Sequence, residues 1–371
     1  MMSNESTYWY AFQRVKLNSK RKNQIIARML QSQLNIRDIF ELSLNTLLEM
    51  KVVEEEDFEV FDIVRQNLSN ISFLTEDIEN QGYHIISILS KHYPEKYKIK
   101  LKSNAPPVLF MKGNLELLNR EAISIVGSRK ASNISLEFTQ NIAKTAAITN
   151  RTVVSGGASG VDTFASHTAL DNAGSTIIIL AEGVKKFKGY RDYYKNLIQG
   201  QVLFISSFDP DDQWQTFKAQ DRNPLIYALG DKVFIAESGE KGGTINGALH
   251  ALKEHWEVFI RLPEKNEINA NLLLIKKGCK PVDMRGKPIE SNLPKSELEI
   301  EKEVIVKVEE LLKIRCLTVN EILKNLNIDW KGSKLSGLIK RSDNIISFRG
   351  KPAKYGLKNN NQKGYQQETL F

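Results

Sequence analysis

The chain has little of what redox, metal or membrane proteins need. Its 371 residues include two cysteines, Cys279 and Cys316, and five histidines. The cysteines lie far apart, without metal-ligand company, so plain thiols in a reduced cytosolic chain are expected. The histidines form no HExxH or comparable set, and neither a metal nor a cofactor is expected. No apolar run approaches the roughly 18 residues needed to span a bilayer. The N-terminus, MMSNESTYWYAF, lacks the basic-then-apolar layout of a secretory signal, which points to a cytoplasmic protein. What is present is ordinary for a globular chain: 41% hydrophobic residues, enough for a sizeable core, and a length that favours two or three domains. The formal charge of +8 points to a polyanionic partner.

The organising stretch runs from Ile123 to Leu170. Two short apolar runs, Ile123–Val126 and Thr152–Val154, each end in glycine: Gly127-Ser128-Arg129 after the first, Ser155-Gly156-Gly157-Ala158-Ser159-Gly160 after the second. Short runs rich in β-branched residues and closed by glycine read as buried parallel strands. Each turn feeds a helical pattern, so free N–H groups at a helix start would face an anion above the sheet edge. Strand and helix alternate through residue 285, with strands expected at Ile123–Val126, Thr152–Ser155, Thr176–Leu180, Val202–Ile205, Val233–Ala236 and Val258–Arg261. A third glycine turn, Glu237–Thr244, carries Lys241-Gly242-Gly243-Thr244. This is the pattern of an α/β fold, a doubly wound parallel sheet whose ligands sit past the C-terminal strand ends.

The flanks differ. Residues 1–90 show helical periodicity and no chemistry, and are read as a helical N-terminal region. Residues 91–285 form the core and 286–298 a polar linker. Residues 299–357 read as three helices and a basic hairpin, a winged helix; Thr318 and Glu321 are placed as a capping box, and Ser333 as a cap for the third helix. Residues 358–371 read as a flexible tail.

PPVLFMKGN, ISIVGSR, VVSGGASGVDTFASHTAL, IIILAEGV, FKAQDRNPLIYALGD, GGT and NANLLLIKKGCKPV, in that order, resemble the core of the DNA-processing protein A family (DprA/Smf) over roughly residues 92–285. The resemblance implies an extended Rossmann-like core without enzymatic turnover that binds single-stranded DNA, hands it to a RecA-type recombinase and works as a homodimer. The chain departs from the family pattern at Ser166-His167, Ser206-Ser207, Arg222-Asn223-Pro224 and Lys241–Thr244, and after Leu262-Pro263.

Gly127, Ser128 and Arg129 are candidate phosphate contacts, because the arginine fork gives two parallel charge-assisted bonds. Ser155, Gly156, Gly157, Ser159 and Gly160 are candidates through the loop; Asp162, which would repel phosphate, is assigned to holding that loop. Lys218, Arg222 and Asn223 follow aromatic Phe217, and a cation beside an aromatic ring suits single strands. Trp214 is a further stacking candidate. Lys241, Gly242, Gly243 and Thr244 make a third cradle. In the winged helix, Lys331, Lys334, Lys340, Arg341, Arg349 and Lys351 are candidate DNA contacts. Gln367, Leu370 and Phe371, in QETLF, resemble a sliding-clamp-binding peptide. Each glycine turn can also be read as plain strand-to-helix geometry, and the winged helix as a protein-interaction module. Two other functions compete. One is a nucleotide-binding sensor. The other is a phosphoribohydrolase-like enzyme, in which Gly247 stands where the acid–base carboxylate belongs and Glu237 or Glu182 would have to replace it.

Overall fold

The computed structural model describes residues 5–289, 297–348, 350 and 352–358. The chain divides into two compact units, residues 1–275 with 279–291 and residues 276–278 with 292–371.

The first unit opens with six helices: α1 (Glu5–Arg14), α2 (Ser19–Gln31), α3 (Asp38–Glu41), α4 (Leu44–Glu49), α5 (Phe58–Arg65) and α6 (Leu68–Asn80). Strands β1 (His84–Ser87) and β2 (Val108–Gly113) flank α7 (Glu95–Leu101). The alternating part follows as β3 (Ala122–Val126), α8 (Asn133–Ile148), β4 (Thr152–Ser155), α9 (Val161–Asp171), β5 (Ser175–Ile179), α10 (Tyr194–Ile198), β6 (Val202–Ser206) and α11 (Thr216–Leu229). It ends with β7 (Lys232–Ile235), α12 (Gly243–Lys253), β8 (Val258–Arg261), α13 (Asn271–Lys277) and β9 (Lys280–Val282).

All nine strands form one sheet in the order β1-β2-β6-β5-β4-β3-β7-β8-β9. Pairing is parallel from β6 across to β9, and β2 is antiparallel to both β1 and β6. The chain moves outward from β3 through β4 and β5 to β6, then returns to the other side of β3 as β7. The switch in strand order therefore lies between β3 and β7, where Ile123–Val126 pairs with Lys232–Ile235. This is the doubly wound sheet expected from the alternation: six of its nine strands are those the alternation predicts, and β1 and β2 extend it at one edge and β9 at the other.

Side chains alternate between the faces, as the pleat requires. Ile177 and Ile179 join the layer built with α7, α11, α12 and α13, whereas Ile178 faces the opposite layer. Ile123, Ile125 and Val153 pack under α8 and α9. The N-terminal helices do not stand apart at residue 90. Tyr10, Phe12 and Phe61 share a core with Phe110, Ile178 and Phe204, and the Tyr10 ring meets Phe110 edge-on at 5.3 Å. Residues 286–289 also differ from a free linker: Val282 bridges Pro288, and the Ile289 N–H donates to the Pro281 carbonyl at 3.0 Å.

The second unit contains α14 (Glu297–Leu312), β10 (Leu317–Thr318), α15 (Val319–Leu326), α16 (Gly332–Ile339), β11 (Ile345–Phe348) and β12 (Lys354–Leu357), with the strands ordered β10-β12-β11. Its own core is built on Val308, Leu312, Ile322, Leu335 and Ile339. Thr318 and Glu321 make both halves of the capping box. Ser333 is not a cap: α16 starts one residue earlier, after Lys331.

One buried ion pair ties β8 to the segment that leads into α13. Arg261 is 1% exposed. It donates to the Ala236 carbonyl at 3.2 Å and to Ser135 Oγ at 3.0 Å, and it pairs with Glu267. Hydrogen bonds from Arg261 hold the Glu267 carboxyl below its ordinary value of 4.5. A depressed carboxyl stabilises the fold above its unfolded value, and that stability is lost as pH falls through the folded value. Glu267→Gln is expected to cost about 3 kcal/mol at neutral pH, because it strands a buried cation. Urea unfolding should show this cost shrinking as the pH drops below 4.5.

Candidate anion cleft at the strand switch

The loops leaving β3, β4 and β7 converge at the switch point beneath α11. Between them lies a cleft of about 360 Å³. Val126, Gly127, Ser128 and Arg129 line it from β3, Ala158 and Asp162 from the β4 side, and Gly239 and Lys241–Thr244 from β7. Trp214, Arg222, Asn223 and Tyr227 close it from the α11 side.

The β3 loop is locked to its neighbours. The Ser128 N–H donates to the Glu237 carbonyl at 2.9 Å, and Thr244 Oγ1 donates to the Gly127 carbonyl at 3.1 Å. A side chain on Gly127 would strike Val161 at 2.6 Å, so glycine is required where the loop crosses α9. Arg129 is left exposed at the rim, its guanidinium carbon 5.5 Å from the centre of the Trp214 ring. Trp214 is itself 46% exposed.

The β4 loop differs from the expectation of a phosphate cradle. Ser155 is fully buried and donates to the Ile125 carbonyl at 2.7 Å. Gly156 is buried, and neither Gly157, Ser159 nor Gly160 lines the cleft. The reason is Asp162, in the first turn of α9 and 7% exposed. Its carboxylate lies beside Gly156 next to the Arg222 guanidinium, so the chain's own anion occupies this loop. Burial raises its pKa, while Arg222 and the Ala158 backbone pull the other way.

Arg222 is also placed differently from the surface contact the sequence suggests. It is 3% exposed, and Nη1 donates to the Ile179 carbonyl at 2.7 Å. Its Nε is buried with no acceptor. Burial pulls its pKa below the ordinary value, Asp162 counters this, and Arg129 adds to it. A Cβ on Gly156 would run into both the Arg222 guanidinium and the Asp162 carboxylate, so a bare backbone is what admits the pair. Lys218 is drawn in as well, at 8% exposure, with Asp212 at 2.9 Å. Phe217 is 56% exposed and does not line the cleft.

The β7 cradle comes closest to its expected form. Lys241 is exposed, Gly242 has φ +114°, and α12 starts at Gly243. Gly242, Gly243 and Thr244 line the cleft at this helix start, which carries partial positive charge. Asn223 Nδ2 is held so close that a Cβ on Gly243 would meet it at 2.5 Å. Tyr227 was not foreseen: it is 1% exposed, and its hydroxyl donates to the Thr244 carbonyl at 3.0 Å. Only the position of Tyr227 one turn beyond Asn223 on α11 would have signalled it.

Among the described residues lining the cleft, Asp162 is the only carboxylate. Gly247 offers no room for one, since a Cβ there would meet the Tyr227 ring at 2.7 Å. Glu237 is engaged by the hydroxyls of Ser132 and Ser135 and by the Ser132 N–H. Glu182 does not line the cleft. In the second unit Lys331, Lys334 and Lys340 are exposed, with Lys334 4.4 Å from the Trp330 ring centre. Arg341 turns to Glu301 at 3.3 Å. Arg349, Lys351, Gln367, Leu370 and Phe371 lie outside the described residues. Among those described, no helix is long and apolar enough to cross a membrane.

Comparison with known proteins gives consistent results. The family model described as DNA recombination-mediator protein A matches residues 84–291. DNA processing protein DprA of Streptococcus pneumoniae is 33% identical over 187 residues, 49% of this chain and 64% of the relative. DprA of Bacillus subtilis is 29% identical over 182 residues, 48% of this chain and 60% of the relative. The chain thus spans less than two thirds of these relatives' length. The X-ray structure of the Streptococcus pneumoniae protein superposes with a TM-score of 0.64 at 25% identity, covering 76% of this chain and 95% of that one.

Because Gly156 sits under Arg222 and Asp162, Gly156→Ala is expected to cost about 2 kcal/mol by overpacking. Gly242→Ala, with open space around its Cβ but φ of +114°, should cost about 1 kcal/mol through backbone strain alone. Chemical unfolding of both variants measures the difference.

Proposed function

Because the chain belongs to the DNA recombination-mediator protein A family, we propose that it is a DNA-processing protein that binds single-stranded DNA without turning it over. The phosphate backbone crosses the cleft at the strand switch. The observation that carries this reading is Arg222. A buried guanidinium with an unpartnered Nε is costly on its own. Beside the α12 N-terminus, Lys241 and Arg129, it makes a site that favours an anion. The Arg129–Trp214 pair at the rim suits a strand that presents phosphates and flat bases together.

The same reading includes a RecA-type recombinase as recipient, a homodimer as the working form and a winged helix as the C-terminal unit. The exposed Lys331, Lys334 and Lys340 would then be available for a duplex or strand. The tail residues Gln367, Leu370 and Phe371 keep the clamp-peptide role their sequence suggests. A phosphoribohydrolase-like reaction is disfavoured by the cleft's chemistry. It would need an acid–base carboxylate, and Asp162 is buried beside the Arg222 guanidinium.

Fluorescence anisotropy with a labelled single-stranded oligonucleotide tests the proposal. Affinity should fall steeply with salt, because each neutralised phosphate releases counterions. Arg129→Ala should weaken binding roughly tenfold, the loss of one charge-assisted contact, with a shallower salt slope. Binding that is insensitive to salt, or unchanged in Arg129→Ala, would remove the cleft from the strand's path.

A further inference from the structure

The cleft uses one end of the sheet. At the other end, where β2 finishes beside the start of β6, lies a second and larger depression of about 850 Å³. That volume falls within the range of built ligand sites. Its wall is α10 with the turn before it, which contributes Tyr190, Tyr194, Leu197 and Ile198. Gly82 and Lys112–Asn114 form the opposite side.

Two features separate this groove from ordinary surface. The first is its apolar exposure. Tyr194 is 65% exposed and Ile198 70% exposed, four residues apart and therefore on one face of the helix. The second is rigidity beneath them. The Tyr190 hydroxyl donates to the Val184 carbonyl at 2.7 Å, and its ring packs edge-on against Phe204 at 4.8 Å and Phe187 at 5.2 Å. Asn114 Nδ2 ties the opposite wall to the Gly200 carbonyl at 2.8 Å. A groove with fixed walls loses little entropy when it is filled.

Charge selects the occupant. Lys112 lies 4.1 Å from the Tyr83 ring centre and 5.3 Å from that of Tyr190, so a cation is built into the wall. Lys188, Arg191 and Lys195 are exposed around α10, and none of the three has a carboxylate within ion-pair distance among the described residues. Against these four cations the same segments carry Asp192 and Glu116, and Glu116 already accepts from Asn119 at 2.9 Å. Tyr194 presents a ring, but aliphatic Leu197 and Ile198 beside it suit apolar side chains rather than a run of stacked bases.

We propose that this groove is a docking site for an acidic peptide. Two large apolar side chains of the partner seat against Tyr194 and Ile198, and flanking aspartates or glutamates meet Lys112, Arg191 and Lys195. Such anchors carry most of the affinity in small interfaces, and the charges set approach and selectivity. The site shares no residue with the strand-switch cleft, so the two functions are separable.

The test uses the full chain and a fluorescein-labelled peptide of four aspartates followed by Leu-Leu-Phe. The same peptide with lysines for aspartates, and one with serines for Leu-Leu-Phe, serve as controls. Saturable binding of the acidic apolar peptide alone is expected. It should weaken roughly tenfold in Tyr194→Ala or Ile198→Ala. In Arg191→Glu/Lys195→Glu it should weaken by about fivefold or more at low salt, and by less at high salt. Both apolar positions are exposed, so the variants should keep the wild-type circular dichroism and oligonucleotide affinity. No anisotropy change up to ~1 mM peptide would overturn the proposal. So would equal binding of the lysine peptide, or wild-type affinity in both alanine variants. Loss of oligonucleotide binding in the charge reversal would assign the face to nucleic acid instead.

Discussion

A guanidinium buried where the strand order reverses is the constraint on which the rest of this site depends. Arg222 reaches from α11 across the sheet edge to the Ile179 carbonyl. Burying a cation is expensive unless its surroundings answer it. Here the answer is distributed: one carbonyl, the nearby carboxylate of Asp162, and a loop with no side chain at Gly156. Remove any one of these and either the charge or the helix must move. The glycine at 156 serves the arginine first and any ligand second.

That arrangement sets two similar glycine turns in different surroundings. The β4 turn leads to Asp162 in the first turn of α9, so its helix start is answered internally. The β7 turn has no acid in its helix's first turn, and Lys241 stands at its mouth. Helix starts attract negative charge in proportion to what remains unanswered. The cleft's exposed cations and open helix start therefore lie on the β3 and β7 sides, with Arg222 as its floor.

Much of this was legible in the sequence. The six central strands fall within a residue or so of where the short apolar runs place them, because buried parallel strands write themselves as continuous β-branched stretches. The glycine turns after β3 and β7 were found for the same reason that they are needed. Three things were not legible. Strands β1 and β9 are short, sit at the two edges, and in β9 contain Pro281, so neither pattern nor propensity marks them. The burial of Lys218 and Arg222 was hidden because α11 is packed on several sides, with Ala219, Leu225, Ile226, Tyr227 and Ala228 all buried. It also contains Pro224, which normally signals an end rather than a middle. The docking of α1 onto Phe110 was hidden because amphipathic periodicity reveals that a face is apolar without saying what covers it.

The antiparallel pair at one edge has a consequence for how the sheet can be used. In the parallel block every strand points the same way, so every glycine turn opens at one end and the opposite end carries only returning helices. Strand β2 runs against β6, and its end at Gly113 comes to rest beside Leu203, at the start of β6. Its closing residues therefore reach the end of the sheet that the parallel block leaves without functional loops. Lys112 and Asn114 meet α10 there only because of that reversal. Two added strands thus give the fold a second workable face without disturbing the strand switch, and the geometry of each can change while the other is kept.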